Sequence, residues 1–193
     1  MVLSTTGYAW KLAVSSWRGV RRKCMKIKAA FIGVLCLLFT LPAWSESKLV
    51  YTPYKDQKVI FDFYFDEPEK IGSALYWIRS WMNPLMKPPY NDSPEFLNVV
   101  VMIHGTELVT LAKKNEKKYQ RIVDRIRYYS DFGFKFKVCE IAAHDFDYGI
   151  NDFQDFVEVV PSAMTELVHW QMQGYGLITP QIYSKKLSNQ EIK

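Results

Sequence analysis

The sequence predicts an α/β domain built around a mostly parallel sheet. Segments typical of strands alternate with segments typical of helices along residues 58–179, in the order β-α-β-α-β-(α)-β-α-β. This alternation is the pattern of parallel strands joined by crossover helices. The run Leu97–Ile103 (LNVVVMI) is almost wholly apolar, as expected for a central strand buried on both faces. The 49% apolar content supplies enough side chains for such a core and excludes a disordered chain.

The first half of the domain begins with a strand and a helix. Lys58–Phe65 is rich in β-branched and aromatic residues, which predicts a strand. Asp66-Glu67-Pro68 then has the acidic and proline residues of a helix start. We expect Pro84 and the pair Pro88-Pro89 to end this helix. Its apolar residues recur at helical spacing and define one buried face: Ile71, Leu75, Ile78, Met82 and Leu85.

The second half repeats the alternation after the strand Leu97–Ile103. The turn His104-Gly105-Thr106 leads into a charged helical segment, Glu107–Phe132, which we expect to break near Asn115 and to be capped by Gly133. Phe134–Cys139 is the third predicted strand. The remaining elements are mixed short helix and loop at 141–156, a strand at Val157–Val160, a helix from Pro161-Ser162 to Gln173 stopped by Gly174, and a short strand at Tyr175–Thr179.

The first 45 residues have the composition of a secretory signal peptide. They contain seven Lys or Arg and no Asp or Glu, then the 13-residue apolar run Ala29–Leu41, with small residues at Ala43 and Ser45. The apolar run is shorter than the about 20 residues that span a membrane. We therefore expect cleavage after Ser45, with an uncleaved anchor as the less favoured alternative. The expected location is periplasmic or secreted, with membrane contact only during export.

The start of this leader is unusual. Met25, followed by Lys26 and Lys28, would begin an ordinary signal peptide, so we expect Met25 to be the true start. The alternative is a twin-arginine signal at Arg21-Arg22, which here lacks the usual aromatic and Leu residues. Both routes lead out of the cytoplasm.

The leader also accounts for the positive charge of the chain. The whole sequence carries +5, which by itself suggests an anionic partner. Seven of its 25 basic residues lie in the leader, so residues 46–193 hold 18 basic and 20 acidic residues and carry −2. This leaves no charge-based argument for nucleic-acid binding. We expect a domain at 46–183, a flexible tail at 184–193, and Cys139 as the one cysteine of the exported protein.

Three predicted strand ends carry reactive or polar residues: His104-Gly105-Thr106, Cys139 and Ser162. The carboxyl ends of parallel strands share one edge, where ligands bind in such sheets. The helices that follow point N–H groups at this edge, which favours an anion or a thiolate. Lys137 would share a face with Cys139 and could also favour its thiolate. The candidate catalytic residues are therefore Cys139 and His104, and the candidate ligand-binding residues are Gly105, Thr106, Ser162 and Lys137.

Other interpretations of these residues stay open. Cys139 is either a functional thiol or a buried small apolar residue. His104, Cys139 and His144 match no zinc spacing, and a Cys-His nucleophile pair is possible without being fixed by the sequence. We expect no metal and no cofactor. The carboxylates Asp145, Asp147, Asp152 and Asp155 fit no calcium loop and are interpreted as a solvated acidic loop.

Three motifs together resemble the DsrE/DsrF-like family. They are a strand followed by His-Gly (VVVMIHG, Val99–Gly105), a strand ending in cysteine (FKFKVC, Phe134–Cys139), and the C-terminal segment VEVVPSAMTELVHWQMQGYGLITP (Val157–Pro180). The last is the most specific, with its Pro-Ser before a helix and its Gln-x-x-Gly-Tyr after it. Together with the predicted export leader, the resemblance implies an exported, periplasmic branch of the family.

The resemblance implies a three-layer α/β/α, flavodoxin-like domain with a mostly parallel five-stranded sheet, no flavin, and assembly into homo-oligomers, trimers or hexamers. Some members relay sulfur through a persulfide on a cysteine at the position of Cys139, with donor and acceptor proteins. The expected function is thus a periplasmic protein that binds or relays sulfane sulfur on Cys139, a carrier or transferase-like protein rather than a turnover enzyme. The alternative is a non-catalytic oligomeric binding or assembly module in which Cys139 is structural.

Overall fold

Five parallel strands form one sheet in the spatial order β4-β3-β2-β1-β5. The structure is a computed structural model that describes residues 46–193. The fold described below lies within one compact unit, Tyr51–Lys193. The strands are Lys58–Phe63 (β1), Asn98–Ile103 (β2), Lys135–Cys139 (β3), Val157–Val160 (β4) and Gly176–Ile178 (β5).

Helices follow each of the first four strands. The α-helices are Lys70–Leu85 (α1), Glu116–Ser130 (α2), Glu140–Asp145 (α3) and Ala163–Met172 (α4). Short 3₁₀ segments lie at Pro94–Phe96, Thr106–Leu111, Lys113–Asn115 and Ile150–Asp152. Among the described residues, none of the helices has the length and hydropathy that crossing a membrane requires.

The helices cover both faces of the sheet. The larger core lies between one face and α1 and α2, and its fully buried members include Phe61, Phe63, Leu75 and Ile126. The other face packs mainly against α4, through a smaller cluster of buried residues: Ile60, Val100, Met102, Cys139, Val160, Ala163 and Leu167. Odd and even positions of each strand thus enter different cores, as a sheet buried on both faces requires. The prediction of a three-layer, flavodoxin-like α/β fold with a parallel five-stranded sheet is confirmed.

Two predicted boundaries near the start of the fold are wrong by a few residues. β1 ends at Phe63 rather than Phe65, because the Phe65 N–H donates to the side chain of Glu107 and leaves the ladder. α1 begins at Lys70, since the carbonyls of Glu67 and Pro68 first accept turn bonds from Lys70 and Ile71. The helix also continues past Pro84, which lies in its last turn, and ends at Leu85.

The segment Glu107–Phe132, predicted to be helical with a break near Asn115, is divided as expected, but its first part is not an α-helix. It forms two 3₁₀ segments followed by α2, with the α-helix starting directly after the expected break at Asn115. The side-chain amide of Asn115 holds this break by donating to the Val109 carbonyl and to the Tyr148 hydroxyl. Gly133 and Gly174 take positive φ values of 86° and 85°, as expected where a helix stops.

Several predictions concern regions that these elements do not test. The leader, its start at Met25 and its cleavage after Ser45 lie outside the described residues. The tail 184–193 has no regular helix or strand and is exposed throughout. Its flexibility stays a prediction.

Candidate functional site

The carboxyl edge of the sheet brings the predicted site residues onto neighbouring strands. The β2–β3 ladder ends at the pair Ile103–Val138, immediately before His104 and Cys139. Cys139 in turn pairs with Val160, two residues before Ser162. The topological argument from the sequence therefore places these three strand ends together at one edge.

Cys139 lies in the core beneath α4. Only 5% of the surface of Cys139 is exposed, and the residue packs in the smaller core cluster with Ala163 and Leu167. The backbone N–H of Ala163, the first residue of α4, donates to Cys139 Sγ at 3.3 Å. The ten-residue helix α4 therefore directs its first N–H at the sulfur.

Ser162 serves the same helix as its N-terminal flanking residue. It has extended backbone angles and its carbonyl accepts from the Glu166 N–H at 3.2 Å. Its hydroxyl makes no capping bond. Ser162 is therefore the residue directly before the start of α4, and its predicted role in ligand binding stays a prediction.

Lys137 lies on the Cys139 face of β3, as the strand alternation predicts, but its ammonium is already paired. Its Nζ lies 2.5 Å from Glu158 Oε2 and 3.6 Å from Glu166 Oε2, and the residue is only 8% exposed. Two carboxylates compensate its charge, so Lys137 offers little stabilisation to a thiolate and little access to a ligand. The expectation that it supports ionisation of Cys139 is not supported by this geometry.

His104 forms a dyad with a residue of the neighbouring strand. Its Nε2 lies 2.7 Å from Asp62 Oδ1, and Thr179 donates to the other Asp62 oxygen at 3.4 Å. The imidazole also stacks on Tyr64, with ring centroids 4.9 Å apart. Within the described part of the chain no hydrogen bond joins His104 to Cys139, so a Cys-His nucleophile pair is not formed in this structure.

Glu107 is the residue that the sequence reasoning missed. Its carboxylate is fully buried and accepts three backbone N–H groups, from Phe65 at 2.9 Å, Gly105 at 2.9 Å and His104 at 3.2 Å. Burial raises its pKa above the ordinary value of 4.5, against the opposing effect of these N–H donors and of His104. The one signal in the sequence was an acidic residue two positions after a glycine at a strand end.

Gly105 and Thr106 complete this connection between the ends of β1 and β2. A Cβ at Gly105 would lie 2.5 Å from the Phe65 nitrogen and 2.5 Å from Glu107 Oε2, so no larger residue fits. The Thr106 N–H and hydroxyl both donate to the Phe65 carbonyl, at 2.9 and 3.0 Å. Both residues hold the backbone in place, and their contact with a ligand stays a prediction.

A cavity of about 320 Å³ opens beside His104. The ends of β1 and β2 form one wall, and the C-terminal part of α3 forms the other. Its walls include Tyr64, His104, Thr106, Asp145 and Phe146, whereas Cys139 is not among the lining residues. The edge thus holds two separate features, a buried sulfur under α4 and an open cavity at His104.

The described residues do not gather metal ligands. Among residues 46–193, no three or more His, Cys, Asp or Glu side chains are grouped as a metal ion would require. His144 is exposed on α3.

Two solved structures are similar to this chain, and the first of them supports the fold. A protein of unknown function from Methanobacterium thermoautotrophicum is similar over 65% of this chain and 100% of its own, with 18% identity and a TM-score of 0.52. A conserved protein of unknown function from Bacteroides thetaiotaomicron aligns over 64% of this chain and 95% of its own, with 11% identity and a TM-score of 0.43.

Comparison with curated proteins and protein families gives one further result. No curated protein matches the chain. The model of the DsrE/DsrF-like family matches residues 58–180, which include all five strands and every candidate site residue. The chain belongs to the DsrE/DsrF-like family.

Proposed function

We propose that this protein is a sulfur-relay protein that carries sulfane sulfur as a persulfide on Cys139. Membership of the DsrE/DsrF-like family supports a role of this type. The observation that carries the proposal to Cys139 is the hydrogen bond from the Ala163 N–H to its sulfur, at the start of α4. A donor aimed at sulfur from a helix N-terminus stabilises the anion that attacks a sulfane sulfur.

The transfer conserves electrons. The Cys139 thiolate attacks the terminal sulfur of a donor persulfide, R–S–SH, and a new S–S bond forms as the donor S–S bond breaks. The donor thiolate leaves with the electron pair and takes up a proton. The Cys139 persulfide then passes its outer sulfur to an acceptor thiolate by the same step in reverse, so neither direction needs an external oxidant.

The burial of Cys139 sets a condition on this proposal. A sulfur that is 5% exposed reacts only where the edge above it admits a donor. His104 lies at the end of the adjacent strand, one position beyond the last pair of the β2–β3 ladder. A donor would therefore approach Cys139 along the carboxyl edge, past His104 and the start of α4.

Mass spectrometry after incubation with inorganic polysulfide tests the proposal. We expect an adduct of about 32 Da per sulfur atom on the Cys139 peptide, removed by reduction and absent in Cys139→Ser. Peptide mapping is needed because the full chain also contains Cys24 and Cys36. An unmodified Cys139 peptide in the folded protein would refute persulfide carriage.

A second candidate function is a non-catalytic binding or assembly module in which Cys139 is structural. The deep burial of Cys139 and the separate cavity at His104 favour it. Reaction with iodoacetamide separates the two functions. The module predicts a Cys139 that is alkylated only after denaturation, whereas the relay predicts alkylation of the native protein.

We also propose that the protein acts outside the cytoplasm as a homo-oligomer. The basic and apolar leader supports export. Large apolar side chains stay exposed on α4 and β5, with Met172 80% and Val168 56% exposed, which supports burial against further copies. N-terminal sequencing of periplasmic protein should begin at Glu46. Light scattering should give the mass of a trimer or hexamer, and a monomer or an intact leader would contradict the respective proposal.

A further inference from the structure

The cavity at His104 is lined by hydrogen-bond acceptors and aromatic rings. The lining residues Asp145 and Asp66 are carboxylic acids, and the lining residues Tyr64 and Phe146 are aromatic. No lysine or arginine is among its lining residues in the described part of the chain. Asp66 is paired with Lys70 at 2.5 Å, so Asp145 supplies the carboxylate without a basic partner among the described ion pairs.

The His104–Asp62 dyad leaves one imidazole nitrogen without a hydrogen-bond partner among the described residues. A carboxylate only accepts hydrogen bonds, so the 2.7 Å contact between Asp62 Oδ1 and His104 Nε2 places the imidazole proton on Nε2. No described residue is hydrogen-bonded to the other ring nitrogen, Nδ1. In the described part of the chain every buried side-chain nitrogen or oxygen has a partner, so Nδ1 is not buried and is open to solvent. The ring lines the cavity.

The size of the cavity limits what it can hold. Its volume of about 320 Å³ lies at the lower end of the range for small-molecule sites, about 300–1,000 Å³. It lies beyond the carboxyl ends of β1 and β2, where parallel sheets bind ligands. The hydrogen bonds of Glu107 fix the two strand ends, so contacts within the protein hold the wall that carries His104.

We propose that this cavity binds a small organic cation carrying a primary ammonium group. An ammonium has three N–H donors and no acceptor, which complements a cavity lined by the carboxylates of Asp66 and Asp145. Its charge is attracted to the Asp145 carboxylate, which has no basic partner among the described ion pairs, and to the aromatic rings of Tyr64 and Phe146, since such rings favour a cation within about 6 Å. An anion would meet the same carboxylates at close range and gain none of these contacts. This proposal does not depend on persulfide chemistry at Cys139.

Three isosteric probes test the proposal on the purified full-length protein. We expect butylammonium to shift the NMR signals of the His104 ring and of the Tyr64 ring in a saturable manner, whereas butyrate and butanol at equal concentration leave them unmoved. Equal shifts from all three probes, or none from butylammonium, would overturn the proposal.

Two substitutions locate the binding. Asp145→Asn and Tyr64→Leu, both at exposed residues, should each weaken butylammonium binding about two- to fivefold, as expected for an exposed ion pair and a cation–π contact. The matched control is Asp147→Asn, at an exposed residue of the same segment that lies outside the cavity and whose φ of 59° suits asparagine. Unchanged binding in both variants, or an equal loss in the control, would contradict the assigned site.

The outcome is separable from that of the sulfur relay. Cys139→Ser should retain butylammonium binding, because Cys139 does not line the cavity. Asp145→Asn should still form the persulfide adduct on Cys139. A protein that takes up sulfur without binding the cation, or the reverse, therefore refutes one proposal alone.

Discussion

Replacing Glu107 by glutamine should loosen the carboxyl edge while the rest of the fold stays formed. The carboxylate joins strand ends that are 42 residues apart in sequence, through the Phe65 N–H on one oxygen and those of His104 and Gly105 on the other. A glutamine keeps the size of the side chain but has one acceptor oxygen. If the glutamine side chain places its oxygen to keep the two hydrogen bonds at the end of β2, its NH₂ group faces the Phe65 N–H.

The expected cost follows from that single unsatisfied donor. A buried N–H without an acceptor costs about 1–3 kcal/mol. The substitution also removes a buried charge that is disfavoured by desolvation, which offsets part of this cost. We therefore expect the free energy of unfolding to fall by about 1–2 kcal/mol. With a urea dependence of about 2 kcal/mol per molar, the unfolding midpoint should fall by about 0.5–1 M.

Urea unfolding and amide hydrogen exchange together check this prediction. The Phe65 amide should exchange about five- to thirtyfold faster in Glu107→Gln, the factor that corresponds to 1–2 kcal/mol. The matched control is Glu140→Gln on the exposed surface of α3, where we expect a change within about 0.5 kcal/mol. If Glu107→Gln matches that control in its midpoint and keeps the Phe65 amide protected, Glu107 does not hold the edge.

Three further predictions concern the same edge. Ala163→Pro removes the N–H that donates to Cys139 Sγ, and proline is tolerated there because Ala163 is the first residue of α4. This substitution should slow alkylation of Cys139 about tenfold. Ala163→Val keeps the N–H and controls for the size of the side chain. Gly105→Ala should lower the thermal midpoint strongly, because its Cβ would lie 2.5 Å from backbone, while Gly149→Ala, with 3.6 Å to its nearest neighbour, should not. The free energy of unfolding should fall as pH rises from 4.5 through the raised pKa of Glu107, because the folded state holds that proton more tightly than the unfolded chain. This pH dependence should be absent in Glu107→Gln. The raised pKa of Glu107 would be contradicted if the wild type became more stable across the same pH range and Glu107→Gln removed that increase.

Much of the fold could be predicted because each strand carries its own local signal. Leu97–Ile103 is apolar on both faces, and the parallel order then places the ends at His104, Cys139 and Ser162 on one edge. The contacts of these residues could not be predicted in the same way. Whether His104 turns toward Cys139 or toward Asp62 depends on side-chain packing across strands, which strand alternation does not determine.

Glu107 shows why the helix prediction failed at its N-terminal end. A glutamate after a strand and a turn favours a helix start by its charge and propensity. In the structure its side chain instead accepts backbone N–H groups from Phe65, His104 and Gly105, and the chain forms 3₁₀ turns until Leu111. Long-range hydrogen bonds of this kind leave no trace in a local pattern.

The same contacts bear on how the edge could serve sulfur transfer. Three contacts hold His104 in place. Glu107 accepts a hydrogen bond from its backbone N–H, Asp62 contacts Nε2 of its ring, and Tyr64 stacks on the ring. For the imidazole to reach Cys139 it would have to give up the 2.7 Å contact with Asp62 and the stacking. The Ala163 N–H, by contrast, already points at the sulfur. If Cys139 forms a persulfide, its reactivity should therefore depend on the start of α4 and not on His104. His104→Gln should leave the yield of the Cys139 adduct unchanged, whereas Ala163→Pro should lower it.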